Sequence, residues 1–108
     1  MAEWITNNTP EDAFFMSEQE DIIKYHAHRE AMFIPPSDLD FILHTIYNQS
    51  VDYLVIDTDT LQTRSALKPV FEGELLPEGF KLVYKNYEGD ISLVTDIDFK
   101  IQIYSTPS

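Results

Sequence analysis

The stretch that most constrains this chain is Val51-Asp52-Tyr53-Leu54-Val55-Ile56-Asp57, a nearly continuous apolar run that ends in Asp-Thr-Asp and follows an amphipathic, well-capped segment. A run with no polar alternate face is the pattern of a strand covered on both sides. Helix followed by covered strand is the order of an α/β sheet. It places Asp57-Thr58-Asp59 at the carboxyl edge, where open α/β sheets hold ligands.

The segments before this strand repeat the same order. Residues 2 to 8 form a short helix with Trp4 and Ile5 turned inward, broken by Asn7-Asn8-Thr9-Pro10. Ala13-Phe14-Phe15-Met16 reads as a short buried strand. Ser17 with Glu20 fits a capping box, and Ile22, Ile23 and His26 continue a helix inward from it. Ala31-Met32-Phe33-Ile34 is a second strand, closed by Pro35-Pro36. Ser37 with Asp40 opens the clearest helix, in which Leu39, Ile42, Leu43, Ile46 and Tyr47 share one face. After Pro77-Glu78-Gly79 the period changes to two: Phe80, Leu82 and Tyr84 alternate with Lys81, Val83 and Lys85, and Phe99, Ile101 and Ile103 with Lys100, Gln102 and Tyr104. Alternation predicts half-buried antiparallel strands.

The expected fold is α/β, a small Rossmann-like three-layer arrangement in a single domain over residues 1–108. Parallel strands fall near 12–16, 31–34 and 52–57 with intervening helices, and antiparallel strands near 80–86 and 98–104 form a C-terminal hairpin in the same sheet. Phe33, Leu43, Ile46, Tyr53 and Val55 are expected in the core.

Charge narrows the function classes. With 19 Asp and Glu against seven Lys and Arg, the formal net charge is −12, and neither nucleic-acid phosphates nor an anionic membrane surface finds a basic cluster to bind. The chain has no cysteine, hence no disulfide framework and no thiolate metal site. It has no stretch of about 18 apolar residues to span a bilayer, and Met1-Ala2-Glu3-Trp4 lacks the basic and apolar regions of a signal peptide, so the segment reads as soluble with no direct membrane insertion.

Few residues suggest chemistry. Asp57-Thr58-Asp59-Thr60-Leu61 after an apolar strand approaches the nucleophile loop of haloacid-dehalogenase-like phosphatases, where one carboxylate attacks phosphorus beside magnesium. Leu61 departs from that pattern, and the hairpin that follows supplies no further βα units for a basic residue and a second acidic cluster. An Asx turn at the strand end is the ordinary explanation. His26 and His28 could share a metal on a strand, with Glu30 or Asp57 as a third ligand, but on a helix they point about 200° apart. The preferred reading makes His26 an inward helix residue and His28 an exposed loop residue, with no metal and no cofactor. Asn7 and Asn48 match the glycosylation acceptor pattern, a three-residue match that unmodified helix-end and turn asparagines also explain. The one place expected to hold a ligand is the carboxyl edge formed by Ser17, Ser37, Asp57 and Asp59, with weak or no phosphate binding and at most millimolar magnesium or calcium binding.

In order, Trp4-Ile5, Asn8-Thr9-Pro10, His28-Arg29-Glu30-Ala31, Ile34-Pro35, Val51-Asp52-Tyr53-Leu54-Val55, Leu67-Lys68-Pro69, Pro77-Glu78-Gly79-Phe80-Lys81-Leu82-Val83-Tyr84 and Ile103-Tyr104 form a series that spans nearly the whole chain. The series resembles the C-terminal soluble, extracytoplasmic region of integral-membrane glycosyltransferases related to protein mannosyltransferases and aminoarabinose transferases. The resemblance implies a region that follows the last transmembrane helix of an enzyme using a polyprenyl-phosphate sugar donor. The family's catalytic acidic residue belongs to the membrane portion, which no part of this chain matches, so no catalytic residue is carried over. Ile91-Ser92-Leu93-Val94-Thr95-Asp96 looks like an insertion relative to the family's shorter turn.

The leading expectation is therefore an accessory, non-catalytic domain whose partner is the membrane portion of the same polypeptide or an acceptor substrate, on the extracytoplasmic side. The rival is a free-standing acidic module, cytoplasmic in that case, that binds a basic protein; the third reading is a small phosphatase.

Overall fold

The computed structural model describes residues 1–88 and 99–107. The elements run α1 (Ala2–Asn8), β1 (Phe14–Met16), α2 (Glu20–His26), β2 (Glu30–Met32), α3 (Leu39–Asn48), β3 (Tyr53–Asp57), α4 (Thr60–Thr63), a 3-10 turn (Ser65–Leu67), α5 (Lys68–Phe71), β4 (Lys81–Lys85) and β5 (Ile101–Ser105). The strands form one mixed sheet in the order β2-β1-β3-β5-β4. β1 pairs in parallel with β2 and β3, and β5 pairs antiparallel with β3 and β4. The proposed insertion at residues 91–96 lies outside the described residues.

β3 is covered on both sides, as the apolar run over residues 51–57 requires. Leu54 and Ile56 join one apolar cluster with Ile42 and Ile46 of α3, and Val55 joins the other with Ile23 and Ala27 of α2. Helices thus cover both faces, since alternate residues of a strand point to opposite sides. Register at the sheet centre is set partly by a side chain: the amide of Phe14 donates to Asp52 Oδ2 at 2.9 Å, while the Asp52 amide donates back to the Phe14 carbonyl at 2.8 Å.

Helix boundaries depart from the capping patterns. Ser17 is buried at the end of β1, and its Oγ accepts from the amide of Gln19, so α2 begins only at Glu20. Its buried side is then Ile23 and Ala27, four apart, while Ile22 and His26 are exposed. The inward placement expected for His26 is thereby corrected; His28 is exposed, in a left-handed conformation with φ 55°. At α3 the cap is Asp38 rather than Ser37, with Asp38 Oδ1 accepting from the Phe41 amide at 2.9 Å. Tyr47 is exposed at the far end of α3.

Two further expectations change. Phe33 is 53% exposed and not part of the core, because β2, the outermost strand, ends at Met32 and Phe33 lies one residue past its last paired position. Leu43 and Tyr53 are half-buried, each packed against a cluster, while Ile46 and Val55 are fully buried. In the hairpin the later strand, β5, is interior and buried from Ile101 to Tyr104, whereas β4 is the edge. An irregularity between Leu82 and Tyr84 breaks the period of two, so Val83 and Tyr84 both pack on the cluster around Ile103 and Leu82 turns outward. The turn into β4 needs Gly79: its φ is 84°, and a Cβ there would sit 2.6 Å from Pro107 Cβ.

Candidate ligand edge of the sheet

The chain leaves β1 through α2 on one face to reach β2, then returns through α3 on the other face to reach β3. The direction of winding reverses between β1 and β3. Such a reversal is where open α/β sheets bind ligands, beyond the carboxyl ends of the two strands. The residues that reach this position are Ser17 and Glu18 after β1, and Asp57 to Thr60 at and after β3.

Among the described residues, side chains of the chain itself bridge this edge. Glu18 Oε2 accepts the amide of Ile34 at 3.2 Å, and Arg64 Nε donates to the Ile34 carbonyl at 2.6 Å. The two side chains meet at 3.2 Å between Glu18 Oε1 and Arg64 Nη2. The Ser17 amide donates to the Met32 carbonyl. On the other side Thr58 continues the ladder to Lys100, through its amide at 3.0 Å and through Oγ1, which accepts from the Lys100 amide at 2.9 Å.

Asp57 is fully buried. Its Oδ1 accepts from both the amide and the hydroxyl of Thr60, at 2.8 and 2.9 Å, the short-range side-chain turn expected of an aspartate at a strand end. Its Oδ2 has no hydrogen-bond partner among the described residues. A carboxylate without exposed surface cannot meet a phosphate ester in this conformation, although its open lone pairs can accept one more small donor.

Of the four residues expected to form the ligand edge, Ser17 and Asp57 lie at the ends of neighbouring strands, both buried. Asp59 is exposed and makes no cap bond to α4, and Ser37 is exposed on the connection to α3, where its amide donates to the Pro35 carbonyl. No hydrogen bond among the described residues joins these four side chains to one another. Glu18 and Arg64, which close the edge, were not identified from sequence, because neither belongs to a motif; the alternation of Glu18 with Ser17 past a buried strand was the available signal. No group of three or more His, Cys, Asp or Glu among the described residues is arranged to hold a metal ion, and no helix among them is long and apolar enough to cross a membrane.

A second set of buried polar side chains lies on β5. Gln102 donates to the Phe71 carbonyl at 2.9 Å and to the Tyr87 hydroxyl at 2.6 Å, while Tyr104 donates its one hydroxyl hydrogen to Gln102 Oε1 at 2.5 Å, with the Val70 carbonyl 3.3 Å from the same oxygen. Burial, reinforced by Tyr87, pushes the Tyr104 hydroxyl up to about 12. The network ties α5 to the sheet. Among the described residues, open clefts include one of about 310 Å³ at the amino ends of β1 and β3, lined by Asp12, Asp52 and Thr106 among others, and one of about 340 Å³ beside α1.

Comparison with models of known protein families, with curated proteins and with solved structures gives no match.

Proposed function

We propose that this chain is an accessory, non-catalytic domain of a membrane glycosyltransferase that uses a polyprenyl-phosphate sugar donor, in the superfamily of protein mannosyltransferases and aminoarabinose transferases. In this reading the mixed sheet with helices is a small Rossmann-like three-layer domain on the extracytoplasmic side. It packs on the membrane portion of the same polypeptide or helps admit the acceptor. The observation that carries the reading is the bridged carboxyl edge among the described residues: where a catalytic α/β domain keeps a crevice, Glu18 and Arg64 hold the amide and the carbonyl of Ile34 instead.

The sequence blocks that carry the family resemblance also sit where the fold is decided, which supports the same reading. Ile5 is in the core, Arg29 is buried beside β2, Tyr53 to Val55 lie in β3, Pro77 to Phe80 form the turn into β4, and Ile103 and Tyr104 lie in β5.

The native gene upstream of Trp4 tests the proposal most directly. Multiple hydrophobic spans are expected there; a natural start at Met1 without such spans removes it. The net charge of −12 favours a second reading, a free-standing acidic module that binds a basic protein. That reading expects salt-sensitive capture of a basic partner by the isolated chain, and a gene encoding membrane spans overturns it.

A further inference from the structure

The cleft beside α1 is lined by Met1, Glu3, Trp4, Asn7, Asn8 and Tyr84. Glu3 with Asn7 and Trp4 with Asn8 are each four residues apart, so the two rows lie side by side along α1 and face β4. Trp4 and Tyr84 pack against each other, with ring centroids 5.3 Å apart and planes inclined by 40°. Both rings are half-buried. One side of the cleft is therefore an aromatic platform held in place by its own packing. Its rim carries two carboxamides and a carboxylate.

We propose that this cleft binds a sugar ring, with Trp4 as the stacking platform and Glu3, Asn7 and Asn8 as partners for its hydroxyls. A pyranose presents a face of C–H bonds, which packs on the electron-rich face of an indole, and a rim of hydroxyls that both donate and accept. Carboxamides match that rim because each offers a donor and an acceptor on one side chain. Asn8 spends one amide hydrogen on the Trp4 carbonyl at 2.9 Å, which fixes its orientation and leaves its Oδ1 to accept. Asn7 is exposed, and its side chain is in no hydrogen bond among the described residues. Adjacent sugar hydroxyls can donate in pairs to the Glu3 carboxylate.

The alternative occupant of an aromatic site, an organic cation, fits less well. A cation is held where rings surround it, whereas Trp4 and Tyr84 lean on each other and present one platform. It also has no use for the carboxamide donors. The volume, about 340 Å³, lies at the lower end of the roughly 300–1,000 Å³ typical of ligand pockets and suits one or two sugar units.

The inference stands apart from the accessory-domain reading: the cleft is a property of this chain, while that reading turns on what the gene encodes upstream. The test is a titration of the isotopically labelled chain with methyl α-mannopyranoside, methyl β-glucopyranoside and, separately, tetramethylammonium chloride, following the Trp4 indole N–H and the Asn7 and Asn8 carboxamide signals. Saturable shifts with at least one glycoside are expected, with a dissociation constant of about 1–10 mM, as befits a shallow site. Asn7→Ala should weaken that affinity at least about threefold without changing the melting temperature, since it removes one hydrogen bond to the ligand and none within the chain. Trp4→Phe, which keeps the contact with Tyr84 but shrinks the platform, should weaken it further. Absence of saturable shifts with both glycosides overturns the proposal. So do shifts with tetramethylammonium alone, or glycoside shifts that both variants leave unchanged.

Discussion

Glu18 and Arg64 hold the two backbone polar groups of a single residue: Glu18 accepts the amide of Ile34, Arg64 donates to its carbonyl, and the two side chains meet at 3.2 Å. Residue 34 has left the sheet, so the pair replaces the ladder bonds that a strand neighbour would have made. With both side chains largely covered, each single loss strands a polar group. Arg64→Met and Glu18→Ala should each cost about 1–3 kcal/mol. Because either change breaks the same three-way contact, the double variant should lose less than the two single losses combined, by about 0.5–3 kcal/mol in a double-mutant cycle from urea melts. Strict additivity would show that the contact is not formed in solution.

Arg29 is only 7% exposed, and its guanidinium donates to the carbonyls of Ala27 and Thr9 at 3.1 and 2.9 Å and to Thr9 Oγ1 at 3.2 Å, with longer bonds to Thr6 and His28. A planar fork with five donors fits this ring of oxygens; a lysine ammonium does not. Arg29→Lys should therefore destabilise nearly as much as Arg29→Met, by about 3 kcal/mol, which for a domain of this size lowers the melting temperature by about 10 °C or more. Rescue by lysine in thermal melts would show that charge, not shape, is what the site requires.

Stability should fall on the alkaline side through Tyr104. Its hydroxyl sits at about 12 in the folded chain against an ordinary value of 10, so the folded state holds the proton more tightly. The contribution is complete below pH 10 and is lost as pH rises from there towards 12. Tyr104→Phe should cost about 1 kcal/mol at neutral pH, since Gln102 Oε1 loses its donor. It should also remove part of the fall between pH 10 and 12. Urea midpoints of both proteins at a series of pH values would reveal parallel curves if Tyr104 were not responsible.

Val55 and Phe33 separate two apolar positions that sequence treats alike. Val55 is 0% exposed, and Val55→Asp places an unpaired charge between the sheet and α2, at a cost of several kcal/mol that is a large part of a typical domain's stability. Phe33→Ser should stay within about 0.5 kcal/mol of the parent. Circular dichroism melts should show the first variant unfolded and the second unchanged; a cooperative melt for Val55→Asp near the parent temperature would mean that β3 is not buried.

The parallel half of the sheet was legible because its information is local. Short apolar runs separated by capped 3.6-period segments leave few alternatives, and β1, β2 and β3 fall within two residues of their expected places. The errors come from facts that no window contains. Phe33 belongs to an apolar run, but β2 is outermost and its pairing stops at Met32. The alternation of residues 80–85 holds only until the irregularity at Val83, which depends on how β4 meets β5. Gln102 reads as the polar side of a half-exposed strand, yet it is buried because β5 lies inside β4. At the carboxyl edge of the sheet, the placement of Ser17 and Asp57 could be read from the strands before them. That of Arg64 could not be, since its partners are 30 and 46 residues away.

The two attachments of α1 have a mechanical result. Trp4 leans on Tyr84 in β4, and Thr6 and Thr9 are held by Arg29 immediately before β2. β4 and β2 are the opposite margins of the sheet, about 19 Å apart at the usual strand spacing. The seven residues of α1 cover about 10 Å of that width, and the long Trp4 and Arg29 side chains bridge much of the rest. One face is thus crossed from margin to margin by a brace fixed to β4 and to the turn before β2. Twisting one margin against the other must strain that brace, so a segment that contributes no strand resists changes in the pitch of the sheet.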